Sequence, residues 1–293
     1  MPQARVGEIE LCYESAGEGP AVLMIMGLGA QLVFWPEEFC QGLVDRGFRV
    51  VRFDNRDAGY STRLDHLGVP RFPVEVARWA AGKRVRAPYG LEDMADDAAG
   101  LLDALEIPRA HVLGASMGGM IAQLVAIRHP RRVRSLTSIM SSPGDRRSLV
   151  PHPKAAKALF RKAPTTRREA EDSWVKFFRS VGSPGFLFDE PGLRERAGLH
   201  FERGPSPRGF ARQITAVLAA PDRRASLARL DVPALVVHGS ADPLVPFRGG
   251  VRTAEVMPDA RLLRVEGMGH DLPRGAWPDI LDAFAQMAAA CPS

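Results

Sequence analysis

Two hydrophobic periods alternate along this chain. Positions 21–26 (Ala-Val-Leu-Met-Ile-Met) are apolar without interruption, as a strand buried on both faces requires, and 48–53 reads as the next buried strand. Positions 6–14 instead alternate, with Ile9, Leu11 and Tyr13 on one face, and read as a half-exposed edge strand. Between these runs the spacing turns helical. The stretch from Gln31 through Phe39 and Leu43 predicts an amphipathic helix ending near Gly47. Positions 91–105 predict another, with Glu92 and Asp93 favourably placed in its first turn. A strand at 110–113, a helix over 120–126 and a strand at 133–140 follow. After an interruption the rhythm resumes: strand 232–238, helix 248–257, strand 261–265 and a terminal helix over 275–290. Strands alternating with helices predict an α/β fold with a mostly parallel sheet covered on both faces.

The interruption, residues 143–220, differs in texture. It is rich in Pro, Gly and Arg, and its helical stretches (155–161, 169–180 and 210–219) have no buried-strand run between them. It reads as a helical insertion emerging at the carboxyl ends of the strands, a cap over a core made of 1–142 and 221–293. Lys and Arg outnumber acids there by about two to one, and the segment reads as a solvated helical surface. Elsewhere composition narrows the field. The net charge of +5 comes without a basic block interleaved with aromatics, which argues against a nucleic-acid partner. No apolar run approaches the ~18 residues a membrane helix needs. The chain opens without a signal-like stretch, and Cys12, Cys40 and Cys291 are odd in number and far apart, which points to reduced thiols in a cytoplasm. None has metal-ligand spacing, and neither metal nor cofactor is expected.

The chemistry concentrates at Gly114-Ala115-Ser116-Met117-Gly118, between the 110–113 strand and the following helix. A serine with glycine two residues away on each side, between strand and helix, is the nucleophile-elbow pattern. The turn is too sharp for a Cβ at the flanking positions. It lifts the hydroxyl clear of the sheet and leaves the next amide at a helix N-terminus, where it can bind an oxyanion. Serine needs a base, and the base needs an orienting acid. His270, in Gly267-Met268-Gly269-His270, follows the 261–265 strand, and Asp242 follows the 232–238 strand. The order Ser, Asp, His, each on a post-strand loop, predicts Ser116 as nucleophile, His270 as general base and Asp242 as the group orienting it. His238, inside a strand, and His111, opening one, read as structural.

A second oxyanion donor is expected from the loop after the 21–26 strand, Met26-Gly27-Leu28-Gly29, with the Leu28 N–H beside that of Met117. Gly27, Phe34, Trp35 and Met117 are candidates for the pocket wall. The polar loop Asp54-Asn55-Arg56-Asp57-Ala58-Gly59-Tyr60-Ser61 could offer Arg56 or Asp57 to substrate, but reads as a hydrogen-bonded structural loop near the site's floor.

Together these residues resemble the α/β-hydrolase superfamily. Within it, Met-Gly-x-Gly after the first buried strand, Trp35-Pro36-Glu37-Glu38-Phe39, Asp-x-Arg-Asp-x-Gly-x-Ser, Gly-x-Ser-Met-Gly and Gly-Met-Gly-His resemble the aclacinomycin methylesterase type. One departure is Met26, where a His-Gly opening is common. The resemblance implies an eight-stranded sheet with an inserted helical cap. It also implies a cofactor-free carboxylic ester hydrolase working through an acyl-enzyme on a small or medium apolar ester, with a methyl ester as one candidate. The same three residues would equally serve carbon–carbon bond hydrolysis, lactone opening or perhydrolysis, and the fold also serves non-catalytic ligand binding. Dehalogenase and epoxide-hydrolase chemistry would need a carboxylate at Ser116.

Overall fold

The computed structural model of the chain describes residues 1–148, 150–160 and 162–291. Eight strands form one sheet: β1 (Gln3–Val6), β2 (Ile9–Ala16), β3 (Ala21–Ile25), β4 (Arg49–Phe53), β5 (Ala110–Ala115), β6 (Val133–Ile139), β7 (Ala234–Gly239) and β8 (Ala260–Val265). Their order across the sheet is β1-β2-β4-β3-β5-β6-β7-β8, and every pairing from β4 to β8 is parallel. Only β2 runs against its neighbours. The single edge strand expected over 6–14 is therefore corrected: a hairpin at Gly7 (φ +57°) divides it, and β1 rather than β2 forms the edge. Glycine adopts that left-handed turn without steric cost, and of the expected span only Val6 belongs to β1, while the alternation of Ile9, Leu11 and Tyr13 lies wholly within β2.

Helices cover both faces. They are α1 (Glu37–Val44), α2 (Phe72–Ala80), α3 (Leu91–Ala104), α4 (Met117–Arg128), α5 (Pro153–Leu159), α6 (Arg167–Val181), α7 (Glu190–Glu202), α8 (Pro207–Ala219), α9 (Arg224–Leu227), α10 (Arg248–Val256) and α11 (Trp277–Ala289). The central strands have no solvated side. In β3, Ala21, Leu23 and Ile25 enter the core shared with α3 and α4, while Val22 and Met24 enter the one shared with α1 and α11. This accounts for the uninterrupted apolar run. Helix α4 is buried on nearly every side, so its sequence lacks an amphipathic stripe.

Between β6 and β7 the described residues form helices and no strand, as expected. Of the helix expected over 155–161, residues 155–159 are helical, within a helix that begins at Pro153, and Arg161 lies outside the described residues. Three helices had no counterpart in the sequence reading. Helix α9 is a single turn, and helix α2 buries only Glu75 because its apolar Phe72, Val76 and Trp79 face the cavity instead of the core. Helix α7 begins Glu190-Pro191-Gly192, which resembles a turn, yet Pro191 sits in its first turn and Asp189 Oδ1 accepts the Gly192 N–H at 3.1 Å, a helix start.

Candidate active site

Ser116 sits between β5 and α4 with φ +57° and ψ −120°, a conformation non-glycine residues avoid. The flanking glycines are required by space. A Cβ on Gly114 would lie 2.1 Å from the Gly118 carbonyl oxygen, and one on Gly118 would lie 2.0 Å from that of Ile25. The strained turn is held by its own backbone: Ser116 N–H donates to Ile139 O at 2.9 Å, and Ser141 Oγ donates to Ser116 O at 2.8 Å.

The three side chains expected to meet do so. His270 Nε2 stands 3.0 Å from Ser116 Oγ, and His270 Nδ1 stands 2.8 Å from Asp242 Oδ2. The other oxygen of Asp242 accepts the Leu244 and Val245 amides at 2.8 and 2.9 Å, so the carboxylate is fixed on both sides. A carboxylate can only accept, which makes His270 Nδ1 the donor and leaves Nε2 to take the hydroxyl proton. Residues 116, 242 and 270 come from the carboxyl ends of β5, β7 and β8. The loop bearing His270 is fastened by its own amide, which donates to Val181 O at 2.6 Å. A second imidazole lies close by. His238 donates from Nε2 to Val245 O at 2.8 Å, 3.6 Å from Asp242, and burial holds its pKa down although the carboxylate pulls it up.

Of the two expected oxyanion amides, that of Met117 directly follows the serine in the chain, and that of Leu28 follows Gly27 in the facing loop. Met117 N–H is the first of α4 and has no helical carbonyl to bind. Across from it, Gly27 packs so closely that a Cβ there would lie 3.2 Å from Ser116 Cβ. The amides of Gly29 and Ala30 are engaged by Gln213 Oε1 and Gly27 O, whereas no protein acceptor of the Leu28 N–H is found among the described residues.

The 54–61 loop is structural, as read, but more deeply so than its composition suggests. Asp54, fully buried, accepts the Leu32 and Tyr60 amides and pairs with Arg203; burial pushes its pKa up against the pull of that guanidinium. Asp57 (φ +68°) accepts from Arg212 at 2.6 and 2.7 Å, from Tyr89 Oη and from the Leu64 amide. Burial alone would raise its pKa, but these donors outweigh it and hold the carboxyl below its ordinary range. Arg56 points away, to Asp97 at 2.5 Å. The reading of the 143–220 basic residues as solvated is thus corrected in part. Arg167 and Arg179 are exposed and Arg194 half-buried, each paired with acids nearby, but Arg203 and Arg212 are buried against the core's own carboxylates.

An apolar cavity of about 490 Å³ opens beside Ser116 and His270. Gly27 and Trp35 line it, as expected, with Phe34, Met117, Trp174 and Phe210. Trp35 is 2 % exposed and stacks on Phe39, so it belongs to the core as much as to the wall. Asp271, next to His270, also lines the cavity; Ser183 donates to it, and burial raises its pKa. Among the described residues no cluster of His, Cys, Asp or Glu could hold a metal ion, and no helix is long and apolar enough to cross a membrane. Sequence reasoning missed Gln213 and Asp271. Only Asp271, adjacent to the candidate base, carried a local signal.

Comparison with known proteins follows this geometry. Residues 20–177, more than half of the chain, match the family model described as alpha/beta hydrolase fold, and 215–276 match one described as TAP-like protein. Among curated proteins, the chain is 29 % identical to a rhodomycin D methylesterase of Streptomyces sp. (strain C5), covering 93 % of each. It is 28 % identical to 3-oxoadipate enol-lactonase 2 of Acinetobacter baylyi, covering 83 % of this chain and 80 % of that one. Among solved structures, a meta-cleavage product hydrolase from Pseudomonas fluorescens superposes with a TM-score of 0.72 at 20 % identity, covering 98 % and 97 % of the two chains.

Proposed function

This chain belongs to the α/β-hydrolase fold family, and from that premise we propose that it is a carboxylic ester hydrolase acting through an acyl-enzyme on Ser116. The observation that carries the reading is the unbroken path from Asp242 through His270 to the Ser116 hydroxyl, at 2.8 and 3.0 Å, opening on an apolar cavity. In the reaction His270 Nε2 takes the hydroxyl proton as Oγ attacks the acyl carbon. The Leu28 and Met117 amides stabilise the tetrahedral oxyanion, and the proton passes to the departing alkoxide. Water then enters, gives its proton to the same base, and releases the acid and free serine. Asp242 holds the imidazole in the required tautomer throughout. Each oxyanion amide should contribute on the order of 3 kcal/mol to lowering the barrier.

The relative named a methylesterase supports an ester as the bond cleaved, and the apolar wall supports a small or medium apolar ester, with a methyl ester as one candidate. In this reading the β6–β7 helices are a cap, residues 143–220, over a core of 1–142 and 221–293. The free thiols of Cys12, Cys40 and Cys291 support a cytoplasmic setting. The relative named an enol-lactonase favours lactone opening as the second reading, which uses the same machinery on a cyclic ester.

Purified Ser116→Ala should fold normally, lose p-nitrophenyl acetate hydrolysis by about 10⁴-fold or more, and no longer take a fluorophosphonate label. A variant that hydrolyses the ester as wild type does would overturn the proposal. Methyl esters assayed beside γ-lactones separate the two readings.

A further inference from the structure

The Leu28 amide depends on a loop with glycine on both sides, which has little conformational preference of its own. The structure fixes it from outside. The peptide plane before Leu28 is held by Ala30 N–H donating to Gly27 O at 3.3 Å. The plane after it, which contains the Gly29 N–H, is held by a side chain 184 positions away: Gln213 Oε1 accepts that N–H at 2.9 Å. Gln213, on α8 and 1 % exposed, is itself fixed because its Nε2 donates to Arg56 O at 2.9 Å. One turn earlier, Phe210 presses on the same place: a Cβ on Gly29 (φ +67°) would lie 2.6 Å from Phe210 Cδ2. Farther along the loop, Gln31 Nε2 donates to His200 O at 3.2 Å and its Oε1 accepts from Arg203 at 2.9 Å. The sheet side contributes Asn55 Nδ2 to Met26 O at 3.0 Å and Asp54 to the Leu32 amide at 2.8 Å.

Resting on the assignment of Leu28 N–H as an oxyanion donor, we propose that Gln213 is a positioning residue for ester hydrolysis. It fixes the peptide plane adjoining that donor, so α8 helps build the oxyanion hole as well as cover the cavity. The Leu28 N–H matters most when charge develops on the carbonyl oxygen, so its misplacement affects the transition state more than the bound ester.

The test compares Gln213→Met, which keeps length and apolar packing but removes both hydrogen bonds, with Gln213→Glu, which keeps an acceptor for Gly29 N–H. Gln213→Met should lower kcat on p-nitrophenyl acetate by about tenfold to a hundredfold with KM within about threefold of wild type. It should weaken inhibition by an alkylboronic acid, a tetrahedral mimic, by a similar factor, and Gln213→Glu should recover most of both. Thermal melts establish that the variants are folded; if Gln213→Met does not fold, Gln213→Asn, too short to reach Gly29, is measured in its place. Unchanged kcat and boronate affinity in a folded variant, or a rise in KM alone, would overturn the positioning role. Fluorophosphonate labelling of the wild type runs alongside. If Ser116 labels and Gln213→Met behaves as wild type, only this inference fails; if wild-type Ser116 does not label, the hydrolase reading fails and takes the inference with it.

Discussion

At the scale of single residues, local sterics made the site legible. Gly114 and Gly118 had to be glycine because carbonyl oxygens stand about where their Cβ atoms would be, and a pentapeptide is enough to state that constraint. Histidines are different, because their roles depend on what surrounds them. His111, read as structural, is buried in β5 between Phe48 and Phe284, with Nδ1 2.8 Å from Ser135 Oγ. Burial, helped by Arg134 and Arg109, pushes its pKa down to about 4 from 6.5. A folded pKa below the unfolded one means that the unfolded chain takes the proton first. Stability is therefore lost as pH falls from about 7 towards 4 and levels off below that. Between pH 7 and pH 5 this group should account for about 2 kcal/mol. Urea unfolding of His111→Gln should show a loss over that interval smaller by this amount than wild type; equal losses would mean that His111 does not titrate as described.

At the scale of elements, the regular strands and helices followed from their periods, and the failures were instructive. β1 is only four residues long, too short for an alternation of its own to register, and the turn at Gly7 joins it to β2. Helix α7 begins with turn-like residues and offers no stripe, while α2 turns its apolar residues to the cavity instead of the core. The ties between elements were less legible still. Arg212 on α8 and Asp57 after β4 form a pair in which both side chains are fully buried. Gly209 lets that helix approach so closely that a Cβ there would lie 2.3 Å from Asp57 O. Arg212→Met would strand a buried carboxylate and should cost about 3–5 kcal/mol in chemical denaturation. Adding Asp57→Asn removes the stranded charge and tolerates the left-handed backbone, so the double variant should recover part of that loss. If the two losses simply add, the pair is not coupled.

At the scale of the whole molecule, sheet and helices enclose an apolar cavity at the reacting atoms, and its character sets the expected preference. Each methylene moved from water into such a space gains about 0.8 kcal/mol. Lengthening p-nitrophenyl acetate to the butanoate should therefore raise kcat/KM by about tenfold. No gain would place the acyl group outside the cavity. The buried pairs Arg203–Asp54 and Arg212–Asp57 tie the covering helices to the core at the side of the site away from His270.

The amino-acid order by itself determined the α/β alternation, the shape of the turn at Ser116 and the chain order of Ser116, Asp242 and His270. The first two are set by residues close together in sequence, through backbone sterics or hydrophobic period, and the third is a linear order that needs no folding to read. Only the tertiary structure decided that the three side chains stand at bonding distance. It alone also showed that two arginines of a seemingly solvated segment are buried on Asp54 and Asp57, and that Gln213 reaches Gly29. A glutamine or arginine on a helix looks the same in sequence whether it faces water or a buried partner. What separates the two cases is desolvation by elements more than a hundred residues away, and that cost exists only once the chain has folded.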